Sequence, residues 1–308
     1  MPASLGGDAV ARRYVHKAAM AEVLLTGWQQ LPAPDAFVVT AQWPRAHSFY
    51  SAHQGLHDPL LLVETVRQSM PLLSHVAYDV PFGHHLVWNG ISFRVDPEAL
   101  RIREVCAEVT LHITCHEVRY RRGQLSSLGM TIRAERDGEP LGVADAGFTS
   151  VAPAIYNRLR AGNTDALPAM ARAVPPPPAI PAAQVARYRE QDVVLASTDT
   201  PNRWQLRADT THPVIFDHPV DHVPGMLLLE AARQAAQATT GADSVLLELN
   251  ARFNYYAELH RPCWVEAVPP PAGGAGDSAI RVSVHQDGDE AFSASCSTTR
   301  SPAAAIPG

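Results

Sequence analysis

The chain repeats one arrangement of sequence features, first in its N-terminal half and again in its C-terminal half. Each copy contains a long apolar run with a glutamate, followed at the same spacing by an arginine and a glutamine. Later in each copy an Asp-Gly pair separates two alternating segments, which indicates a hairpin with a type I′ turn. The fold therefore has to be built from two similar units. The matched segments are Glu22–Gly27 with Asp192–Ser197, Asp58–Gln68 with Pro224–Gln234, and Thr131–Pro140 with Val282–Glu290.

Each copy predicts several antiparallel strands and one long helix. The helices are expected over residues 60–75 and 226–239, where apolar residues cover most of the circumference and indicate burial on all sides. A sheet wrapped around one such helix is the hot-dog arrangement. The sequence therefore predicts a double hot-dog of the α+β class.

A proline-rich stretch separates the two copies. Four consecutive prolines at 175–178 predict a stiff polyproline II spacer. We expect a first repeat over residues 1–167, a linker over 168–182, a second repeat over 183–300 and a tail over 301–308. The chain length of 308 residues suits two domains of ordinary size.

Composition and charge exclude several classes of protein. The net charge of −6 argues against a general nucleic-acid binder. No apolar stretch reaches the roughly 18 to 20 residues of a membrane helix, and Met1–Arg13 lacks the apolar core of a secretory signal. A cytoplasmic protein is the expectation. The four cysteines form no CxxC pair, and no glycine-rich phosphate loop or dinucleotide fingerprint is present, so we expect neither a metal nor a cofactor.

The segment 216–231 carries the strongest chemical signal. Pro224 and Gly225 precede an apolar run, so the amides of Gly225 and Met226 are expected at a helix N-terminus, where they can hold an oxyanion. Glu230 lies further along the same helix, where apolar neighbours are expected to raise its pKa. Such a carboxyl group beside a histidine serves general acid–base catalysis. The candidate histidines are His218 and His222.

The first copy offers a second, weaker set of candidates. Glu64 is the counterpart of Glu230, but Asp58-Pro59 stands where the second copy has Pro224-Gly225. Arg67 and Arg233 follow the two glutamates by three residues, and a guanidinium matches the oxygens of a phosphate. The remaining substrate-binding candidates are Gln68, Gln234 and His53, the histidine nearest to His218 in register.

Two resemblances bring in chemistry that spacing alone does not show. His-x(5)-Pro-Gly-x(4)-Glu-Ala in the second copy resembles the active-site stretch of bacterial 3-hydroxyacyl-ACP dehydratases, in which a loop histidine and a helix glutamate form the catalytic pair. Glu230 fits that spacing, and so does Gln234. The loop here is about two residues shorter, which leaves His218 and His222 as rivals.

A longer resemblance covers most of the chain and is carried by four segments: Val15–Lys17, Gln42–Tyr50, His57–Gln68 and Asp217–Gln234. In these segments the chain resembles the AfsA-type family of A-factor (γ-butyrolactone) biosynthesis enzymes. The resemblance implies transfer of a β-ketoacyl group from an acyl carrier protein or coenzyme A to the hydroxyl of dihydroxyacetone phosphate, after which the ester condenses to a butenolide. The alternatives are a dehydratase or thioesterase on the same fold, or a non-catalytic acyl- or butyrolactone-binding protein. Either a pseudo-dimeric monomer or a homodimer is expected.

Overall fold

The protein divides into two compact units. A computed structural model describes residues 8–270 and 279–300, so the expected tail at 301–308 lies outside the described residues. Within the described residues, the first unit comprises 8–47 and 59–164, and the second comprises 48–58, 165–270 and 279–300. The segment 48–58 therefore belongs by its contacts to the second unit, although it lies within the first sequence repeat.

The first unit is a six-stranded antiparallel sheet with one long helix. Its strands are β1 (Leu25–Gln30), β2 (Ala36–Trp43), β3 (His85–Val95), β4 (Ala107–Arg121), β5 (Gln124–Arg136) and β6 (Glu139–Val151). They are ordered β1-β2-β4-β5-β6-β3. The long helix α1 (Leu60–Val76) packs against β1, β2 and β3, and the short helix α2 (Pro153–Leu159) follows β6.

The second unit repeats this arrangement. It begins with a short helix α3 (Ala166–Ala171) and contains the strands β7 (Leu195–Ser197), β8 (Arg203–Leu206), β9 (Ser244–Phe253), β10 (Trp264–Val268), β11 (Ile280–Gln286) and β12 (Asp289–Arg300). Their order is β9-β12-β11-β10-β8-β7, antiparallel throughout. The helix α4 (Gly225–Thr240) packs against β9, β10, β11 and β12.

The local predictions about helices and turns are confirmed. Fourteen of the 17 residues of α1 and 12 of the 16 residues of α4 are buried, as runs that are apolar on most sides require. Both Asp-Gly pairs form hairpin turns with positive φ at both central residues: Asp137 at 53° with Gly138 at 85°, and Asp287 at 55° with Gly288 at 94°. The helix α3 occupies the first residues of the stretch expected to be a linker.

Candidate active site

Glu230 is the centre of a buried ionic network in the second unit. Its side chain lies on α4 with no exposed surface. Arg187 donates from Nε and Nη2 to Oε1 and Oε2 at 2.9 and 2.7 Å, and Arg233 donates from Nε and Nη2 to Oε2 and Oε1 at 2.9 and 2.7 Å. Gln234 adds a third donor to Oε1. Glu230 is thus a carboxylate surrounded by donors.

The expected rise in the pKa of Glu230 is wrong. Burial does raise the pKa, but the two guanidinium groups act in the opposite direction and lower it to about 2. The neighbours of Glu230 along the helix are mostly apolar, but Arg187 reaches it from a segment 43 residues earlier and brings a positive charge. A carboxylate with such a low pKa is a poor proton acceptor near neutral pH.

Arg187 also binds a second carboxylate, from the segment 48–58. Its Nη1 lies 2.9 Å from Oδ2 of Asp58, and the guanidinium stands 4.9 Å from the ring centroid of Phe49. Two carboxylates and two guanidinium groups therefore meet, and their formal charges cancel. Sequence reasoning identified neither Arg187 nor Asp58 as a site residue. The available signal was the repeat itself, because Arg187 stands five residues before Asp192 just as Lys17 stands five residues before Glu22.

Glu64 forms the corresponding network in the first unit. Arg67 donates from Nε and Nη2 to its two oxygens, both at 2.9 Å, and Nζ of Lys17 lies 3.1 Å from Oε1. Burial raises the pKa of Glu64, but Arg67 and Lys17 outweigh that effect and hold the pKa well below its usual range. Glu64, like Glu230, is a buried anion.

Gln68 and Gln234 connect each glutamate to the chain segment ahead of the first strand of its unit. The oxygen of Gln68 accepts from the amide of Leu24, and that of Gln234 accepts from the amide of Val194, both at 2.9 Å. Their two N–H groups go to the glutamate and to a backbone carbonyl, of Glu22 or Asp192. Both N–H groups of each glutamine side chain therefore already donate to protein oxygens. Neither glutamine has an N–H group left for the contact with substrate that the sequence predicted.

Two Asp–His pairs lie in the loop before α4. Nδ1 of His222 is 2.7 Å from Oδ1 of Asp221, whereas Nδ1 of His218 is 3.4 Å from Oδ2 of Asp217. The side chain of His218 is 47% exposed and that of His222 is 28% exposed. When the hydrogen on Nδ1 of His222 faces the carboxylate, the lone pair of the neutral imidazole is on Nε2. The shorter and more buried pair favours His222 over His218.

The start of α4 presents backbone donors three residues after His222. Pro224 is the N-cap, and its carbonyl accepts from the amides of Leu227 and Leu228 at 3.0 and 3.3 Å. The amides of Gly225 and Met226 precede these, in the turn where a helix has no carbonyl of its own to offer them. The partial positive charge of a helix N-terminus adds to their attraction for an anion.

His53 does not lie with these groups. Its Nε2 is 2.8 Å from the carbonyl oxygen of Ala242, just beyond the C-terminal end of α4. Burial lowers its pKa. A 16-residue helix is about 24 Å long, so His53 and Gly225 stand at opposite ends of it. The structure therefore does not bring His53 to the predicted oxyanion site.

The described residues contain neither a metal-binding cluster nor a membrane-spanning helix. Within residues 8–270 and 279–300, no three histidine, cysteine, aspartate or glutamate side chains gather as a metal ion would require. No helix in those ranges is long and apolar enough to cross a membrane. A surface cavity of about 420 Å³ is bordered by Arg203, Trp264, Glu266 and His285, none of which belongs to either ionic network.

The fold and the site define a class of protein built from two sheet-and-helix units, each with a buried glutamate network on its helix. The chain belongs to the A-factor biosynthesis hotdog domain family, AfsA, whose model matches residues 7–152 and 169–301. The prediction of family and fold is confirmed.

Relatives agree with this family assignment, and solved structures agree with the fold. The chain is 43% identical over 285 residues to 2-oxo-3-(phosphooxy)propyl 3-oxoalkanoate synthase of Streptomyces virginiae, covering 92% of this chain and 95% of that one. It is 38% identical to the Streptomyces coelicolor enzyme of the same name, covering 90% and 88%. Among solved structures, the 12:0-ACP thioesterase from Umbellularia californica matches with a TM-score of 0.51 at 9% identity, covering 89% of this chain and all of that one. An acyl-ACP thioesterase from Bacteroides thetaiotaomicron matches at 0.50 and 11% identity, covering 85% and 98%. Identities this low show a shared fold only.

Proposed function

We propose that this protein is an acyltransferase that moves a β-ketoacyl group from an acyl thioester to the hydroxyl of dihydroxyacetone phosphate. The observation that carries the proposal is the 43% identity, over 92% of the chain, to a 2-oxo-3-(phosphooxy)propyl 3-oxoalkanoate synthase. That name describes the ester of a 3-oxo acid with dihydroxyacetone phosphate. The product would be a precursor of a butenolide or γ-butyrolactone signal. A cytoplasmic location and the choice between a monomer and a homodimer stay predictions of the sequence.

The Asp221–His222 pair supports the role of general base. Nε2 of His222 takes the proton of the acceptor hydroxyl while the hydroxyl oxygen bonds to the thioester carbonyl carbon. The amides of Gly225 and Met226 stabilise the resulting oxyanion. When the C–S bond breaks, the thiolate leaves and takes the proton from His222. Asp221 keeps the imidazole in one orientation and stabilises its protonated form.

Glu230 acts in this scheme as a fixed anion and not as the base. Its oxygens already accept five hydrogen bonds from Arg187, Arg233 and Gln234. Arg233 is equally committed, because it also donates to Gln237 and to the carbonyl of Val185. The network holds the helix that carries Gly225, so Glu230 is a positioning residue.

The test is mass spectrometry of products formed from a β-ketoacyl pantetheine thioester and dihydroxyacetone phosphate. The wild type is expected to yield the phosphorylated ester or its dehydrated butenolide. His222→Ala should lose about 10²- to 10⁴-fold in rate, the usual contribution of a general base. His218→Ala, the matched change in the same loop, should keep most of the activity.

Two other results would redirect the proposal. Free acid or an enoyl thioester formed regardless of the acceptor would replace it with a thioesterase or dehydratase. Equal losses in His218→Ala and His222→Ala would remove the assignment of His222 as the base. Comparing carrier-protein and coenzyme A thioesters in the same assay identifies the donor.

A further inference from the structure

Two side chains of the second unit restrain the imidazole of His222 in different ways. Asp221 lies at one ring atom, with its Oδ1 2.7 Å from Nδ1. Tyr256 contacts the ring as a whole: the two ring centroids are 4.7 Å apart and the two planes are inclined at 74°, an edge-to-face arrangement that aromatic rings favour. A hydrogen bond at Nδ1 alone still lets the imidazole rotate about that bond, whereas the contact with Tyr256 restricts its plane.

A backbone hydrogen bond holds the segment with Tyr256 against the loop before α4. The amide of Val223 donates to the carbonyl oxygen of Ala257 at 2.9 Å, and both residues are buried, so water does not compete for this bond. These are the residues that follow His222 and Tyr256 in the chain, so the bond brings the two rings side by side. Val223 stands two residues before Gly225, so the same bond ties the segment to the start of α4.

The same segment is fixed to the sheet on both sides of Tyr256. Before it, the amide of Asn254 donates to the carbonyl oxygen of Ala291 in β12 at 2.9 Å. After it, the amide of Glu258 donates to Oε1 of the buried Gln286 in β11 at 2.7 Å, and Nε2 of Gln286 donates back to the carbonyl oxygen of Glu258 at 3.0 Å. A side chain that orients a reacting group must be held rigidly by its surroundings, and these bonds supply that support.

The adjacent tyrosine has a different environment. Tyr255 is 40% exposed, and its hydroxyl lies 3.4 Å from the carbonyl oxygen of Gln286. The hydroxyl of Tyr256 is buried, and its ring lies against His222. Of the two neighbouring tyrosines, Tyr256 is therefore the one that can orient the histidine, and Tyr255 provides a matched comparison.

We propose that Tyr256 is a positioning residue, which holds the imidazole of His222 in the plane from which Nε2 accepts a proton. The inference rests on the proposed acyl transfer, in which His222 is the general base. The lone pair of Nε2 lies in the plane of the imidazole, so a rotation of the ring turns the lone pair away from the acceptor hydroxyl. Asp221 fixes one atom of the ring, and Tyr256 fixes its plane. A displacement of about 1 Å at a reacting group can cost about 10²-fold in rate.

Steady-state kinetics of the full-length protein test this role, with the β-ketoacyl pantetheine thioester and dihydroxyacetone phosphate as substrates. Tyr256→Ala should lower kcat about 10- to 100-fold, because the base is misoriented, and should leave KM for both substrates little changed. Tyr256→Phe keeps the ring and should keep kcat close to that of the wild type. Tyr255→Ala, the matched change at the preceding residue, should also behave as the wild type does.

A double variant separates positioning from a general loss of structure. If Tyr256 acts through His222, Tyr256→Ala should cause no further loss of kcat in a chain that already carries His222→Ala. A loss of the same factor in both backgrounds would overturn the inference, because it would show that the tyrosine acts independently of the histidine. If Tyr256→Ala does not fold, Tyr256→Leu, which keeps apolar volume without the aromatic ring, takes its place with the same expectations.

An NMR measurement tests the orientation without turnover. In protein labelled with ¹⁵N-histidine, the ring signals of His222 are those lost in His222→Ala. At alkaline pH, where histidine is neutral, the wild type and Tyr256→Phe should show the tautomer with the hydrogen on Nδ1, and Tyr256→Ala should show a mixture of both tautomers. An unchanged tautomer in folded Tyr256→Ala would contradict the inference. Full activity of His222→Ala is a different failure: it removes His222 as the base, and the positioning role with it.

Discussion

The Glu64 network of the first unit and the Glu230 network of the second share one arrangement of residues but differ in their charged partners. In both networks a glutamine joins the glutamate to the chain segment ahead of the first strand. In both, the arginine three residues after the glutamate binds both of its carboxylate oxygens. The third partner of the glutamate, after the glutamine and the arginine, is Lys17 for Glu64 and Arg187 for Glu230. Only the second receives Asp58 as well. The glutamate with its glutamine and arginine is thus the common part of the repeat. The further charged partners, Lys17 in one unit and Arg187 with Asp58 in the other, distinguish the two units.

Removing the third partner should cost far more stability in the second unit than in the first. Arg187→Met leaves Glu230 with Arg233 but leaves Asp58 buried without its guanidinium. We expect a loss of about 3–5 kcal/mol, the usual cost of breaking a buried ion pair from one side. Lys17→Met should cost about 1–2 kcal/mol, because Arg67 still holds both oxygens of Glu64.

Urea unfolding of both variants, monitored by circular dichroism, measures this difference. Arg101→Met is the control for loss of one exposed positive charge and should change the free energy of unfolding little. Equal losses in Arg187→Met and Lys17→Met would show that Asp58 adds nothing to the second network.

Acid should weaken the Glu230 network in a defined pH window. The pKa of Glu230 is about 2 in the folded protein against an ordinary 4.5, so the folded state favours the charged form. Its stabilising contribution is complete above the unfolded pKa and is lost as pH falls through the folded one. The difference in unfolding free energy between the wild type and Glu230→Gln should therefore shrink from about pH 5 towards pH 2.

The same measurement compares the two units. The pKa of Glu64 is also lowered, by Arg67 and Lys17. The difference in unfolding free energy between the wild type and Glu64→Gln should therefore also shrink as the pH falls. A difference that stays constant with pH in Glu230→Gln would contradict the ion pairing described for that residue.

The smallest effects are expected where the two units are most alike. Gly138 and Gly288 occupy equivalent hairpin turns with φ of 85° and 94°, and a Cβ at either position would meet no atom within 4 Å. Substitution by alanine should therefore cost only the strain of positive φ, about 1 kcal/mol at each position. Thermal unfolding of the two variants checks this expectation. Clearly unequal losses would show that the two hairpins contribute differently to stability.

Local features of the fold were predictable from sequence. Long runs that are apolar on most sides located α1 and α4 to within about a residue at each end, and Asp137-Gly138 and Asp287-Gly288 specified their turns through backbone sterics. Such signals lie within a few residues of the element they determine. The spacing of an arginine and a glutamine after Glu64 and Glu230 was also visible in the sequence, and both side chains bind the glutamate in each unit.

The missing parts of the site depend on contacts distant in sequence. Arg187 and Asp58 are 43 and 172 residues from Glu230, so no helical or strand period connects them. The sequence shows Asp58 only as the residue that stands before α1 where the second copy has a proline. In the structure its carboxylate binds Arg187. Because Arg187 was not identified from the sequence, the predicted direction of the pKa shift at Glu230 was wrong. His222 and His218 were distinguishable only once their burial and their distances to aspartate were known.

The placement of Asp58 in the second unit has a consequence for how the protein is made. During synthesis the segment 48–58 leaves the ribosome long before Arg187 and Glu230. At about 5–20 residues per second, the 129 residues from Asp58 to Arg187 take roughly 6 to 26 seconds to add. During that time the carboxylate of Asp58 has been synthesised but its partner Arg187 has not. A chain divided at the proline-rich stretch would separate Asp58 from Arg187, so residues 165–300 made alone would lack one carboxylate of the Glu230 network.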